Sequence, residues 1–334
     1  MTNLTIRPLL PGDLLTGRGQ PRRELFLSTD GLSAPARRPP WAGFLPWGVA
    51  GYGLLGESDT HGPALIYARP RPRRDKWDVV YLAGPADASD DTITALWQAL
   101  LERLCQEAGR QGVLRVFARL DEQDEMVDPL RRAGFVLYSR DLLWQRAPGP
   151  AAAPPSEPPS GTLRPQRGAD AWGLHSLYRA LAPAIVQQSE GLTSRDWRPT
   201  GRRWLGNGPR AYVLIVAGEI KGCFRVTEGT AEARLWLLAH PEARPALSAL
   251  LPGFGLDPLR TLTVLVPEYG SWVTGLLEGA GFQHVGAQAL LVRHTVAWAR
   301  APEPRRRPVI KEVLEPAPTT PAAPATAPAG GEQT

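Results

Sequence analysis

The feature that most constrains this chain is an internal repeat. Residues 113–144, VLRVFARLDEQDEMVDPLRRAGFVLYSRDLLW, return in altered form as residues 261–292, TLTVLVPEYGSWVTGLLEGAGFQHVGAQALLV. Each copy opens with alternating apolar residues: Leu114, Val116, Ala118 and Leu120, then Leu262, Val264 and Val266. A period of two marks a half-buried strand. A short helix is expected next, closed by Ala133-Gly134-Phe135 or Ala280-Gly281-Phe282. There glycine can take the left-handed conformation that ends a helix, and phenylalanine begins the next strand. That second strand is expected to complete each copy. The beginnings of the two halves agree as well, since Thr5-Ile6-Arg7-Pro8 with Asp13 is matched by Thr162-Leu163-Arg164-Pro165 with Asp170 at the same spacing. Two anchors in the same order read as one domain occurring twice.

The length of 334 residues suits this reading, because a domain has ~100 to 200 residues. The longest uncharged run, Trp41 to Gly56, is broken by glycines and a proline. It falls short of the ~20 apolar residues of a membrane span, so no membrane association is expected. The opening MTNLTIRPLLPGD has no basic region followed by an apolar core, and no signal peptide is expected. The two cysteines, Cys105 and Cys223, fall on apolar faces in different halves, as buried free thiols of a reducing, cytoplasmic compartment would. The net charge is +5, with arginines clustered at Arg18, Arg22, Arg23, Arg37, Arg38 and at Arg69, Arg71, Arg73, Arg74. Lysine occurs only at Lys76, Lys221 and Lys311, which points to an arginine-biased background. A nucleic-acid partner needs a continuous basic face, and the sequence argues against one.

Along the chain, Leu4 to Leu9 reads as a strand, and Gly17 to Pro40 as an irregular Arg/Pro/Gly/Ser excursion. Trp47 to Gly56, Ala64 to Arg69 and Trp77 to Ala83 read as an antiparallel meander. Ile93, Leu96, Trp97, Leu100, Leu104, Cys105 and Ala108 then recur at helical spacing, with Asp91 placed to cap the helix and Gly109 to stop it. Residues 147–160 are a Pro/Ala-rich, semi-rigid linker. In the second half Asp170 is expected to cap a helix carrying Leu174, Leu177, Tyr178 and Leu181. A hairpin turning at Gly218-Glu219, a strand from Ala233 to Ala239 and a short helix near Ala243 to Leu251 follow. The domains expected are therefore 1–146 and 161–300, with a disordered tail over 301–334 that has little to bury.

A meander, an amphipathic helix, another strand, a short helix closing in x-Gly-Phe and a final strand resemble the GNAT superfamily of N-acetyltransferases. The openings TIRPLLPGD and TLRPQRGAD resemble it too, and tandem copies occur in that family. The resemblance implies an α/β fold (an α+β mixed sheet) made of two tandem GNAT-like acyl-CoA N-acyltransferase domains. It implies acetyl transfer from acetyl-CoA to a small-molecule or protein amine. In the family the fourth strand splays from the fifth to admit the pantetheine arm, and a glycine-rich loop holds the pyrophosphate at a helix N-terminus, where exposed N–H groups and the helix dipole favour an anion. Carried onto this chain, that site would use Leu82 and Ala83 at the strand end, Gly84 and Ser89 in the loop, and Arg244 of His240-Pro241-Glu242-Ala243-Arg244 in the second half.

The sequence also departs from the pattern. The first loop, Gly84 to Asp91, lacks the paired glycines and carries Asp87, Asp90 and Asp91, which would repel a pyrophosphate. In the second half Pro245-Ala246-Leu247 enters the helix without glycines. The family's proton-donating tyrosine is replaced by Leu130 and Leu277, which cannot transfer a proton. Catalysis by proximity is still open to such a chain. The polar candidates are Tyr81, Gln123, Glu268 and Tyr269, each with a structural alternative at a strand face, an acidic turn or a strand end. Gly51-Tyr52-Gly53-Leu54-Leu55-Gly56 spells a dinucleotide fingerprint but lacks the helix that must follow, and the five histidines show no metal-ligand spacing. Two functions follow: a GNAT-type N-acetyltransferase, or a catalytically inactive tandem module that binds a ligand or a protein. Fold alone does not choose between them.

Overall fold

The computed structural model describes residues 4–10, 13, 22–27, 51–58, 62–71, 75–149, 160–199, 210–228, 232–254 and 260–295. Most of the expected linker, the tail and most of the Gly17 to Pro40 excursion lie outside the described residues. The first half contains β1 (Leu4–Pro8), β2 (Arg22–Phe26), β3 (Tyr52–Ser58), β4 (Ala64–Pro70), β5 (Lys76–Pro85), α1 (Asp90–Arg110), β6 (Arg115–Asp121), α2 (Val127–Arg132) and β7 (Val136–Arg146). The second contains β8 (Thr162–Pro165), α3 (Ala171–Leu181), α4 (Ala184–Glu190), β9 (Arg210–Val216), β10 (Glu219–Glu228), β11 (Glu232–Ala239), α5 (Arg244–Gly253), β12 (Thr261–Pro267), α6 (Thr274–Gly279) and β13 (Gln283–His294). No described helix is long and apolar enough to cross a membrane.

The repeated anchors have a common physical cause. Arg7 donates to both carboxylate oxygens of Asp13 at 2.7 and 2.8 Å, and Arg164 to those of Asp170 at 2.8 and 2.7 Å. Each aspartate also accepts a backbone N–H, from Leu10 at 2.7 Å or from Arg167 at 2.6 Å. A bidentate pair fixes both spacing and orientation, tying the edge strand to the turn that follows it. Asp170 thus closes a short turn ahead of α3 rather than capping α3 by its side chain. The second anchor is equally regular. Gly134 and Gly281 both sit at φ +82°. Phe135 and Phe282 donate backward to the carbonyls of Leu130 and Leu277 at 3.0 Å.

All strands form one mixed sheet, in the order β1-β3-β4-β5-β6-β13-β7-β12-β11-β10-β9-β8, with β2 added on β5. The expectation that the last strand completes its own copy is corrected here: the two final strands are exchanged. β13 lies against β6 of the first half, and β7 lies against β12 of the second. Between them β7 and β13 pair antiparallel, with Asp141 opposite Gln288, each seven residues past its repeat glycine. Arg146 and Arg293 are also equivalent, twelve residues past those glycines. Each caps helices of the half it has crossed into. Arg146 donates to Phe254 O at 2.6 Å and Pro252 O at 3.1 Å, while Arg293 donates to Ala133 O. Positive charge at helix C-termini satisfies carbonyls left free by the helical ladder.

Two cores lie under α1 and under α5 with α6. The first joins Ile93, Leu96, Leu100 and Leu104 to Ile66, Val79, Leu82 and Val116; the second joins Leu247, Leu251 and Leu277 to Leu235, Val264 and Val266. A third, on the opposite face, packs α3 and α4 on strands of both halves, with Leu174, Tyr178 and Val186 against Phe117, Tyr138, Cys223 and Val292. Both thiols are buried, and burial pushes that of Cys105 up to about 12. The hairpin turns where expected, with Ala217 at φ +50° and Gly218 at φ +83°, the mirror-image turn suited to strand twist. The ends of α1 differ from expectation. Ser89 caps it by accepting from Thr92 N at 3.3 Å, and the helix runs past Gly109 to Arg110, with Gly112 supplying the left-handed residue at φ +77°.

Candidate functional site

Each half contains one parallel strand pair, and each pair opens towards its C-terminal end. β5 pairs with β6 from Lys76 to Asp78 only, and β11 pairs with β12 from Glu232 to Trp236 only. Beyond those points the two strands of each pair no longer pair with each other.

In the first half the chain itself enters. β2 pairs antiparallel with β5 from Arg22–Pro85 to Phe26–Tyr81, and Leu27 N donates to Val80 O at 3.0 Å. A strand therefore lies inside the region expected to be irregular, and its leucines explain why: Leu27 is buried in the core and Leu25 packs against it. Glu24 accepts the Tyr81 hydroxyl at 2.6 Å, and the Phe26 ring lies 5.0 Å from that of Tyr81. Arg23 pairs with Asp90 and, at 3.3 Å, with Glu125. The aspartate of the acidic loop is thus a partner of β2. Leu82 and Ala83 are buried with both backbone edges in strand pairing. Gly84 approaches α1 so closely that a Cβ there would lie 2.7 Å from Ile93. Ser89 spends its hydroxyl on the helix cap.

The second half differs. Along Leu237 to Ala239 no strand occupies the side facing β12 among the described residues. The Trp272 indole donates to Ala239 O at 3.0 Å, and the exposed Arg244 places its guanidinium 5.3 Å from the Trp272 ring centre. Arg244 is the first residue of α5, and Pro245 follows it without an N–H. Nearby, Lys221 bridges Glu219 at 2.8 Å and Glu242 at 2.6 Å; both bonds raise the lysine pKa, and the lysine lowers that of Glu242.

At the mouth of this opening, on the α3/α4 face, polar groups from both halves converge. Tyr178 of α3 donates to Glu190 Oε2 at 2.8 Å and Tyr138 of β7 to Glu190 Oε1 at 3.4 Å. Burial, then the charge of Glu190, pushes the phenols of Tyr138, Tyr178 and Tyr269 well above their ordinary range. All three keep their protons, and Tyr138 and Tyr178 serve as hydrogen-bond donors. Asp141 is almost fully buried and receives Arg119 at 2.9 Å. Burial raises its pKa, against the pull of that guanidinium. The exchange of β7 into the second half is what brings Tyr138 and Asp141 here.

Of the residues singled out by sequence, Glu268 and Tyr269 stand together after β12, with Arg140 donating to Glu268 at 3.4 Å. Gln123 is exposed in a turn whose N–H donates to Asp121 at 2.9 Å. Tyr81 lies on the opposite side of the molecule's central strands, in the core beside β2. Leu130 and Leu277 are fully buried. Sequence reasoning missed Glu190, Tyr138 and Tyr178. Tyr178 was visible only as an apolar helix position, and Glu190 at a helix end carries no spacing that links it to β7.

No protein-family model matches the sequence, and no curated protein is similar to it. Among solved structures, the chain is similar to a tandem GNAT protein from the clavulanic acid biosynthesis pathway, with 17% identity over 87% of this chain and 98% of that one, at a TM-score of 0.49. It is also similar to a GCN5-related N-acetyltransferase from Sphaerobacter thermophilus, with 15% identity, 87% and 95% coverage and a TM-score of 0.46. A GCN5-related N-acetyltransferase from Kribbella flavida follows at 15% identity, 89% and 72% coverage and a TM-score of 0.45.

Proposed function

We propose that this chain is a GNAT-type N-acyltransferase with one working acyl-CoA site, in its second half. The observation that carries the reading is the asymmetry of the two openings. The edge of β5 is filled by β2, whereas among the described residues no strand pairs with Leu237 to Ala239 of β11 on the side facing β12. An extended, amide-bearing arm can pair with an open strand edge as another strand would. On this reading Arg244 supplies positive charge for the phosphates, while Leu82, Ala83 and Gly84 have become the seat of β2 and Ser89 caps α1. Glu268 and Tyr269, with Tyr178, Tyr138 and Glu190, line the acceptor side, where an amine would meet the thioester. With leucine at both family tyrosine positions, rate enhancement rests on holding the two reactants together.

The alternative, a non-catalytic tandem binding module, is favoured by the same leucines and by the missing glycines in both loops. The deciding experiment is thermal denaturation with acetyl-CoA, followed by assay of CoA release over a panel of amines. A ligand at ~100 times its Kd adds ~2.7 kcal/mol to stability, so binding is readily visible. A shift with CoA release supports transfer, a shift without release supports the binding module, and no shift removes acetyl-CoA from both.

A further inference from the structure

We infer that the second half holds a carboxylate-binding site centred on Arg225, on the α3 face of β10 and β11. The inference deepens the acyltransfer reading, on which it rests only for the ligand's role: the acceptor would carry a carboxylate beside its amine. Unmatched donors carry it. Arg225 of β10 is half-buried and stands directly opposite Trp236 of β11. Its guanidinium lies 4.8 Å from the Trp197 ring centre and 5.6 Å from that of Trp236, and the two indoles fix the plane of the fork. Among the described residues no carboxylate pairs with it, and its one polar contact is the buried thiol of Cys223, a weak acceptor. The carboxylates of the adjoining segments are engaged elsewhere. Glu228 pairs with Arg210 at 3.1 Å, Glu232 with Arg234 at 3.1 Å, and Asp196 accepts from Thr193 N at 2.7 Å.

Two further donors beside it are unmet. Trp197 is 2% exposed, yet its indole N–H has no hydrogen-bond partner among the described residues. Arg234 lies two residues before Trp236 on the same face of β11, diagonal to Arg225 and within reach of so long a side chain. Its Nε donates to Glu232 at 3.1 Å, while its buried Nη1 has no partner. Buried polar groups are nearly always satisfied, and exceptions call for an unseen partner. All three side chains offer donors, so the missing partner is an acceptor. Glu232 offsets Arg234, which leaves the single positive charge of Arg225 unbalanced. A monoanion with two coplanar oxygens matches both that charge and the fork, and an ammonium group matches neither. The cluster adjoins the proposed reaction site. The Trp197 ring lies 5.5 Å from that of Tyr178, and Trp236 is the last residue of β11 that pairs with β12.

Propionate and its neutral counterpart propionamide are the probes, titrated into the full-length protein carrying isotope-labelled tryptophan, with the indole N–H resonances followed by NMR. Propionate should move the Trp197 resonance, identified by its loss in Trp197→Phe, and propionamide should not. Arg225→Met should weaken the response to propionate by about tenfold or more. No movement with propionate, equal movement with both probes, movement confined to other indoles, or an unchanged response in the Arg225 variant overturns the inference. A stronger response to inorganic phosphate than to propionate overturns the carboxylate assignment. Should either variant fail to fold, nuclear Overhauser contacts in the wild type decide. They should run from the propionate methyl to the rings of Trp197 and Trp236, and contacts confined to other residues overturn the site. Propionate binding without an acetyl-CoA-induced melting shift would end the acyltransfer reading and leave the carboxylate site standing; an acetyl-CoA shift without propionate binding would do the reverse.

Discussion

Replacing Arg146 by methionine keeps the aliphatic stem of the side chain and removes the charge that ties β7 to the second half. Two short bonds are lost, to Phe254 O at 2.6 Å and Pro252 O at 3.1 Å, with longer ones to Leu251 and Ala280 at 3.4 and 3.5 Å. The guanidinium also lies 4.7 Å from the centre of the Phe282 ring. A hydrogen bond to a charged group contributes ~1.5–3 kcal/mol, and the lower end applies to a part-buried site. The ring contact adds ~0.5–1 kcal/mol. The loss should therefore be about 4 kcal/mol. For a unit of this size ~2 °C accompanies each kcal/mol, so Tm should fall by about 8 °C. Scanning calorimetry checks both the size and the form of the change. Because β7 belongs to the first half in sequence and to the second in pairing, both halves should melt in one endotherm that moves as a whole. A shift under ~1 °C, or two transitions of which only one moves, would refute the reasoning.

Further outcomes follow from the same geometry. Gly281→Ala should cost ~1–2 kcal/mol in a denaturant melt, since the residue sits at φ +82° with open space around it and only backbone strain opposes the methyl. Residues 1–160 expressed alone should form no folded monomer by analytical ultracentrifugation, because both sheet partners of β7 lie in the second half; a folded monomer would contradict the exchange. Arg164 holds the Asp170 pKa below the ordinary carboxylate range. A lowered folded-state pKa contributes stability that is present above ~pH 4 and lost as pH falls through the folded value. Asp170→Asn should therefore be several degrees less stable than wild type at neutral pH, and that gap should close on acidification. Calorimetric titration of acetyl-CoA should saturate at one equivalent per chain, and two equivalents would mean that β2 yields its place.

Much of the architecture was legible because it is local. The Arg7–Asp13 and Arg164–Asp170 clamps, the Gly134 and Gly281 turns and the apolar stripe of α1 each express a rule acting within a few residues. What was hidden depends on pairing between distant strands. Nothing in β7 says that it prefers β12 to β6, since both edges offer similar apolar alternation and the choice lies in the tertiary packing. β2 was hidden for another reason: its Leu25 and Leu27 sit among arginines and prolines, whose loop signal outweighs so short an apolar run. The candidate site was readable in part. Glu268 and Tyr269 could be placed by the repeat, whereas Glu190 and Tyr138 meet only because the strands cross over.

Amide hydrogen exchange with and without saturating acetyl-CoA tests most directly whether a single site lies in the second half. Protection is predicted over residues 237–247, at the open end of β11 and the start of α5, with residues 80–90 unchanged. Protection confined to residues 80–90, or none in either segment, would contradict it.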